Sequence, residues 1–448
     1  MEVSLSVNLE TIVSLAKRRG FVFQSSEIYG GLNGCYDYGP LGVELLNNIK
    51  NEWWRSMTLR EDIEGIDAAI LMHPKVWEAS GHVSNFTDPM VDCKECKARF
   101  RADQIEDAMC GNPAYKGKKA IKCQQEGKFT EPRQFNLMFK TFIGPVEDEA
   151  SVVYLRPETA QGIFVNFLNV LNSSRQKIPF GIAQIGKAFR NEINTKNFLF
   201  RTREFEQMEM QFFVRPGEDM KWFEYWKEER MKWFINLGMK KEKLRFTPHP
   251  EDKLAHYARA AVDIEYEFPF GWGEIEGIHN RTNFDLTQHT NFSGKALEYF
   301  DGETKEKYIP YIIETSAGAS RSFMTFLIDA YHEEEVKGEK RVVLKLHPKL
   351  APIKLGVFPL VNRDGMPELA EKIFHDVKKS FKSFYDDKGA IGRRYRRQDE
   401  IGTPYCVTID SQTLQDETVT IRERDSMEQI RINMHSIKQY FTKKLKED

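Results

Sequence analysis

Two stretches of period-two alternation, joined by a short loop, constrain this chain more than any other feature. In Gly181-Ile182-Ala183-Gln184-Ile185-Gly186-Lys187-Ala188, the residues Ile182, Gln184, Gly186, Ala188 and then Arg190 share one face of a strand. The strand ends in Phe189-Arg190-Asn191-Glu192, and a second begins at Phe200 and runs to Phe212. In the second, Met208, Met210 and Phe212 form an apolar, core-facing row, while Phe205, Gln207, Glu209 and Gln211 form the opposite, polar row. One face of the pair therefore presents Arg190, Glu192, Arg201 or Arg203, an aromatic ring and carboxylates. Arginine suits phosphate by two-pronged contact, and a ring can stack on a base. Such a face could hold a nucleotide. A solvated hairpin with ordinary cross-strand ion pairs is the plainer alternative.

The same segment matches the spacing of a phosphate loop but ends in Ala188, where the magnesium-binding hydroxyl would stand. Its alternation is also that of a strand. No Gly-x-Gly-x-x-Gly follows a clear strand, so a dinucleotide fold has no support.

Helical spacing predicts a short helix over 9–20 and a denser one carrying Val43, Leu45, Leu46, Ile49 and Trp53, after the turn Tyr38-Gly39-Pro40-Leu41-Gly42. Residues 80–150 hold four of the six cysteines and read as an inserted, loop-rich module. Residues 216–270 read as a second insertion, helical at its start. A strand is expected over Tyr308 to Ile313, a turn at Ser316-Ala317-Gly318, and a helix to about Ala330. The charged stretch 332–341 reads as a linker. Beyond it, a buried-strand pattern at 350–360, a helix near 367–385 and strands near 404–409 and 418–422 describe an alternating α/β unit over 350–448.

Lys plus Arg number 65 and Asp plus Glu 67, which excludes a polybasic, histone-like protein but not a local basic face. One such stretch is 388–397, with five cations, no acid and Tyr395 among the arginines; it reads as a loop that could grip a phosphate backbone. No apolar run is long enough for a membrane span, and the N-terminus lacks the pattern of a secretory signal. Six cysteines are too few for a disulfide scaffold, so a cytoplasmic location is expected. Cys93-Lys94-Glu95-Cys96 has the spacing of a zinc knuckle, but the second half reads Cys123-Gln124-Gln125-Glu126. Two readings stay open: structural zinc on Cys93, Cys96 and Cys123, with Cys110 or Glu126 as fourth ligand, or reduced cysteines with no metal.

Phe189-Arg190-Asn191-Glu192 with Arg201-Thr202-Arg203-Glu204-Phe205 resembles motif 2 of the class II aminoacyl-tRNA synthetases. Glu314-Thr315-Ser316-Ala317-Gly318-Ala319-Ser320-Arg321 resembles motif 3, and the Tyr38–Gly42 turn with its helix resembles the motif 1 region. More narrowly, Arg156-Pro157-Glu158-Thr159-Ala160-Gln161-Gly162, Arg133-Gln134-Phe135-Asn136-Leu137-Met138-Phe139 and the string Gly392 to Pro404 resemble the dimeric glycyl-tRNA synthetases, nearly end to end.

That resemblance implies an α+β fold. A class II antiparallel sheet flanked by helices would fill residues 1–345, and an α/β anticodon-binding domain 350–448. It implies activation of glycine with ATP and Mg2+, then transfer to tRNA(Gly), by a homodimer built on the motif 1 helix. It implies Arg190 and Arg321 as catalytic. Around ATP it implies Asn191, Glu192, Phe200, Arg201, Thr202, Arg203, Glu204, Phe205, Glu274, Ile275, Gly318, Ala319 and Ser320. Among these, Arg190 resembles the α-phosphate contact, Glu192 the reader of the adenine amino group, Phe205 the ring under adenine and Arg201 the γ-phosphate contact; Glu274 resembles a magnesium ligand. Around glycine it implies Arg101, Glu158, Phe205, Glu206, Gln207, Met208, Glu209, Glu314, Thr315, Ser316, Ala317 and Gly318. A non-catalytic paralogue would be expected to lack Arg190, Arg201 or Arg321; all are present.

Overall fold

The computed structural model describes residues 8–105, 110, 129–255, 257–336 and 338–447. At its centre is a seven-stranded sheet. In spatial order its strands are Leu244–Pro248, Ala260–Phe268, Gly271–Thr282, Tyr311–Gly318, Glu204–Val214, Phe180–Phe189 and Ile63–Gly65. Neighbours run antiparallel, except that the short Ile63–Gly65 edge lies parallel to Phe180–Phe189.

The alternating segments form this sheet's middle. Phe205 stands opposite Ala188 and Glu209 opposite Gln184. Met208, Met210 and Phe212 are fully buried in the main core, with the helices Pro40–Thr58, Asp219–Asn236 and Ala319–Ala330 on their side. The opposite row descends from Phe205 to Phe213. Its lower end packs with Phe180, Ile182, Ile312 and the helices Ala160–Val165, Phe167–Ser174 and Phe284–Ser293. Its upper end is left for a cleft.

The helix Pro40–Thr58 begins on a proline, whose missing N–H costs nothing in the first turn. Leu45, Leu46, Ile49, Trp53 and Met57 recur at helical spacing and are buried. Gly42 lets the helix approach the neighbouring chain, since a Cβ there would sit 1.8 Å from the Phe21 carbonyl oxygen. The apolar face of this helix therefore lies in the chain's own core, so its density is not by itself a sign of a dimer.

Several sequence expectations are corrected. The strand Tyr311–Gly318 runs through the expected turn at Ser316-Ala317-Gly318, because those residues pair with Gln207–Glu209 on one side and with Glu276 and Gly277 on the other. The 216–270 segment starts as the helix Asp219–Asn236, but its strands Leu244–Pro248 and Ala260–Phe268 then complete the central sheet. Within 80–150, the strands Thr87–Asp92, Arg99–Arg101 and Arg133–Asn136 form a three-stranded sheet. The 332–341 stretch is no linker: Tyr331–Val336 and Glu339–Leu344 pair as a hairpin. Its charges have partners, most of all Arg341.

The C-terminal unit is a five-stranded sheet in the order Ser383–Tyr385, Leu355–Pro359, Tyr405–Ile409, Thr418–Glu423, Gln429–Asn433. The first three are parallel and the rest antiparallel. Val357, Val407, Ile421, Ile373 and Phe441 belong to its core. The expected helix near 367–385 ends earlier, as Met366–Val377, and a short strand follows.

The basic stretch 388–397 is mostly not a loop; its arginines lie in the helix Ile391–Ile401. Arg394 is buried and donates to the carbonyls of Pro359 and Gly389. Arg397 pairs with Asp386 at 2.7 Å and Arg396 with Asp399 at 3.4 Å. Arg422 lies over the Tyr395 ring, 4.8 Å from its centroid. Most of this charge therefore orders its own domain, and Arg393 is the arginine left exposed. The same helix ties the two units together. Asp399 accepts from Arg341 at 3.0 Å and from Arg422 at 2.9 Å, all three side chains being buried. Glu400 pairs with Arg18 and Arg19 of the N-terminal helix Leu9–Arg18 and its cap.

Candidate active site

The open end of the polar row is a cavity of about 340 Å³. One end of it is cationic: Arg190, Arg201 and Arg321 all line it. Arg190 follows the strand Phe180–Phe189. Its backbone N–H donates to Arg203 O at 2.9 Å, and its Nε to Pro157 O at 3.0 Å. Its guanidinium carbon lies 5.4 Å from the centroid of Phe205 and equally far from Phe86. The side chain is thus held between two rings and one carbonyl.

Arg321 comes from the opposite wall, on the first turn of Ala319–Ala330. Its Nε donates to Phe200 O and its Nη1 to Glu274 O, each at 3.0 Å. It also meets the Glu274 carboxylate at 3.2 Å and stacks on Phe200, 4.3 Å from the ring centroid. Glu274 reaches this cleft through a bulge. Ile264 pairs with Glu276 and Glu265 with Glu274, so Ile275 is an extra residue. The bulge reverses parity, and Glu274 comes to share a face with Gly277, His279 and Arg281.

The other end is anionic. Glu158, Glu209 and Glu314 line it, with Gln207, Ser316, Tyr257, His279 and Arg281. Each carboxylate is fixed by neighbours. Glu158 accepts from Gln161 at 2.9 Å and lies 3.4 Å from His82 Nε2. Glu209 accepts the Thr159 hydroxyl on one oxygen and Gln211 Nε2, at 2.9 Å, on the other. Glu314 accepts from His279 Nδ1 at 2.8 Å, and from Arg281 Nη1 and Gln211 Nε2 at 2.9 and 2.7 Å. Arg281 also grips Asp285 with two donors, at 2.8 and 3.0 Å, and stacks 4.0 Å from the Tyr257 centroid.

These contacts push the carboxyls apart in acidity. Burial would raise Glu314, but the Arg281 charge and the His279 bond and charge pull it well below the usual carboxylate range. Glu158 is likewise held low, against its burial, by His82, Arg281 and Gln161. Glu209 is raised well above the usual range by burial and then by the charges of Glu314 and Glu158. Of the three, Glu209 holds a proton to the highest pH.

The family model "tRNA synthetase class II core domain (G, H, P, S and T)" matches residues 90–331, and "Anticodon binding domain" matches 354–444. Glycine–tRNA ligase from Treponema denticola is 60% identical over 433 residues, covering 95% of this chain and 94% of the relative. That from Borreliella burgdorferi strain B31 is 62% identical over 440 residues, covering 97% of each. The chain belongs to the class II glycine–tRNA ligases. It is an aminoacyl-tRNA synthetase, an ATP-dependent ligase. The glycine–tRNA ligase from Caldanaerobacter subterraneus subsp. tengcongensis is 56% identical over 460 residues, covering 99% of each chain. Among solved structures, prolyl-tRNA synthetase from Cryptosporidium parvum, complexed with L-proline and AMP, matches with TM-score 0.65 at 15% identity. It covers 98% of this chain and 76% of its own, and shares the fold.

In this ligase the motif residues separate by strand parity. Phe200, Arg201, Thr202, Phe205, Gln207, Glu209, Glu314, Ser316, Gly318 and Ser320 line the cavity, as do Glu158, Arg190, Glu192, Glu274 and Arg321. Met208, Ile275, Ala317 and Ala319 belong instead to the main core, and Thr315 is fully buried, because alternate residues of a strand face away. Glu206 pairs with Lys50 at 3.1 Å, and Glu204 with Lys187 at 2.7 Å. Arg203 donates to Glu192 O and Asn33 O, and Asn191 donates its N–H to Leu137 O. Arg101 pairs with Asp88 at 2.6 Å and Asp103 at 2.8 Å, outside the cavity wall.

His279 and Arg281 line the cavity although the family motifs do not include them. Alternation along Gly277-Ile278-His279-Asn280-Arg281 was the signal for them. Gln211 already stands in the polar row with Glu209, whereas Thr159, Tyr257 and His82 carry no comparable signal, since each is brought in by a different element.

In the three-stranded module, Cys93 is buried and its Sγ accepts the Cys96 N–H at 3.5 Å. Cys123 lies outside the described residues. Among the described residues no group of three or more metal-binding side chains is gathered. None of the described helices is long and apolar enough to cross a membrane.

Proposed function

We propose that the chain activates glycine with ATP to glycyl-adenylate and pyrophosphate, and then transfers the glycyl group to the 3′ end of its tRNA. The observation that carries this reading is the opposed charge of one cavity: arginines at one end and hydrogen-bonded carboxylates at the other. A triphosphate needs the first and an ammonium the second.

Arg190, steadied by Pro157 O and two rings, stabilises charge that builds on the α-phosphate as the glycine carboxylate attacks. Arg201 and Arg321 hold the outer phosphates, so that pyrophosphate leaves in line. Phe205 stacks on adenine and Glu192 accepts from its amino group. Glu274 offers magnesium a hard oxygen beside Arg321, where a bound ion would offset phosphate charge. At the other end, Glu158, Glu209 and Glu314 accept the three N–H bonds of the ammonium. A substrate with no side chain offers little else to hold, and Tyr257, Arg281 and His279 crowd that end of the cleft.

The match of 354–444 to an anticodon-binding model supports tRNA as partner. The same reading includes a cytoplasmic homodimer. Ile28 and Tyr29, 89% and 87% exposed on the loop before the Pro40–Thr58 helix, suit a partner copy. It also includes structural zinc on Cys93, Cys96 and Cys123. The Cys96 N–H bonded to Cys93 Sγ fits the first half of a knuckle.

Charging of tRNA(Gly) with labelled glycine tests the whole reading. Ester-linked glycine on the 3′ ribose, not displaced by excess alanine or serine, is expected. Charging with alanine or serine instead would refute it.

A further inference from the structure

We propose that His279 is a positioning residue for the amino-acid step, its Nδ1–H fixing Glu314 so that the carboxylate faces the substrate ammonium. This rests on the reading of Glu314 as a glycine ligand and adds a residue to it. Across the two central strands His279 stands directly opposite Glu314, and Gly277 opposite Ser316. The Nδ1–Oε1 distance is 2.8 Å. The other oxygen of Glu314 is taken by Arg281 and Gln211, at 2.9 and 2.7 Å. With Oε1 also held, the carboxylate cannot rotate.

The imidazole has room only because of a glycine. A Cβ at Gly277 would lie 2.7 Å from His279 Cε1. The ring thus lies over Gly277, and both residues line the cavity. A histidine that merely filled core would not need a carboxylate partner exposed to the cleft.

The charged and titratable groups around the ring come from several elements. Glu314 faces it from Tyr311–Gly318; Arg281 and Glu274 share its own strand; Asp263 faces it from Ala260–Phe268. His249, whose ring centroid is 6.2 Å away, is bonded to Asp263 at 2.9 Å. Burial disfavours the imidazolium and Arg281 opposes it, but the bond to Glu314, its charge and that of Asp263 win, so His279 titrates above its ordinary value. Its proton is lost at higher pH than that of an ordinary imidazole. A neutral ring still donates through Nδ1 but no longer repels an ammonium, so glycine affinity rises with pH through that titration.

The test is glycine-dependent ATP–pyrophosphate exchange by the full chain and its His279→Ala and His279→Asn variants across the neutral pH range. The asparagine amide nitrogen stands where Nδ1 stood but does not titrate. His279→Ala is expected to raise KM for glycine about tenfold, the effect of one bond to a charged group, with kcat and KM for ATP changed less than about twofold. His279→Asn is expected to recover most of the glycine affinity and to lose one inflection from its pH profile. A competent wild type alongside an unaffected His279→Ala overturns the inference. So does a variant whose KM for glycine and for ATP rise together, or a His279→Asn profile like the wild type's. A wild type without glycine-dependent exchange overturns the ligand reading itself, and this inference with it.

Discussion

Glu209 and Glu314 are bridged by a single amide: Gln211 Nε2 donates to Glu209 Oε1 at 2.9 Å and to Glu314 Oε2 at 2.7 Å. Two buried carboxylates that close cannot both carry full charge without a cation between them. Arg281 and His279 favour the charge on Glu314, while burial and that neighbouring charge raise Glu209, so Glu209 is the one of the pair that keeps its proton to higher pH. In the proposed reading a substrate ammonium supplies the missing cation and favours the ionised form of Glu209.

Glu209→Gln keeps the shape and the neutral form. It is expected to raise KM for glycine about 10- to 100-fold, as for a lost bond to a charged group. The effect on stability has the opposite sense. A carboxyl whose pKa is raised by folding stabilises below its unfolded value and loses that contribution as pH rises through the folded one. The empty Glu209→Gln variant should therefore lose less thermal stability than the wild type on going from acid to alkaline pH. Parallel melting curves check this, and identical pH dependence in the two proteins would contradict it.

Arg190→Ala should lower kcat for adenylate formation about 100- to 1,000-fold, the usual effect of removing one fixed donor from a developing anion. The side chain's one backbone bond, to Pro157 O, is peripheral to the core, so circular dichroism and Tm should stay close to wild type. A well-folded variant with near-normal exchange would remove Arg190 from its assigned role.

Asp399→Asn should destabilise the chain by about 3–5 kcal/mol, since it leaves Arg422 buried with no full counter-charge and Arg341 with Glu334 alone. Denaturant titration measures this. A change below about 1 kcal/mol would mean that the contact between the two units is not held by this carboxylate.

Much of this site was legible because strand parity leaves a direct mark on sequence. Alternation alone separates Met208, Met210 and Phe212 from Phe205, Gln207 and Glu209, and the structure separates them the same way. A contiguous motif string hides this parity: Met208, Thr315 and Ala317 sit inside the motifs but face the core. The bulge at Ile275 was not legible, since an extra residue in one strand shows only against its partner. Arg341 illustrates the other limit. Its neighbours Lys340 and Glu339 are ordinary surface charges, and Arg341 is a buried one because Asp399, 58 residues away, joins Glu334 of its own hairpin as a partner. Likewise the arginines of 391–401 looked like a nucleic-acid grip until Pro359 O, Gly389 O and Asp386 were brought up to them.

The measurement that bears most directly on the central claim is amino-acid-dependent ATP–pyrophosphate exchange, run with each of the twenty amino acids and magnesium, without tRNA. Exchange with glycine alone is the result predicted by the proposed reading, in which Glu158, Glu209 and Glu314 take the ammonium while Tyr257, His279 and Arg281 crowd that end of the cavity. Exchange with a larger amino acid, or none with any amino acid in folded protein, would contradict it.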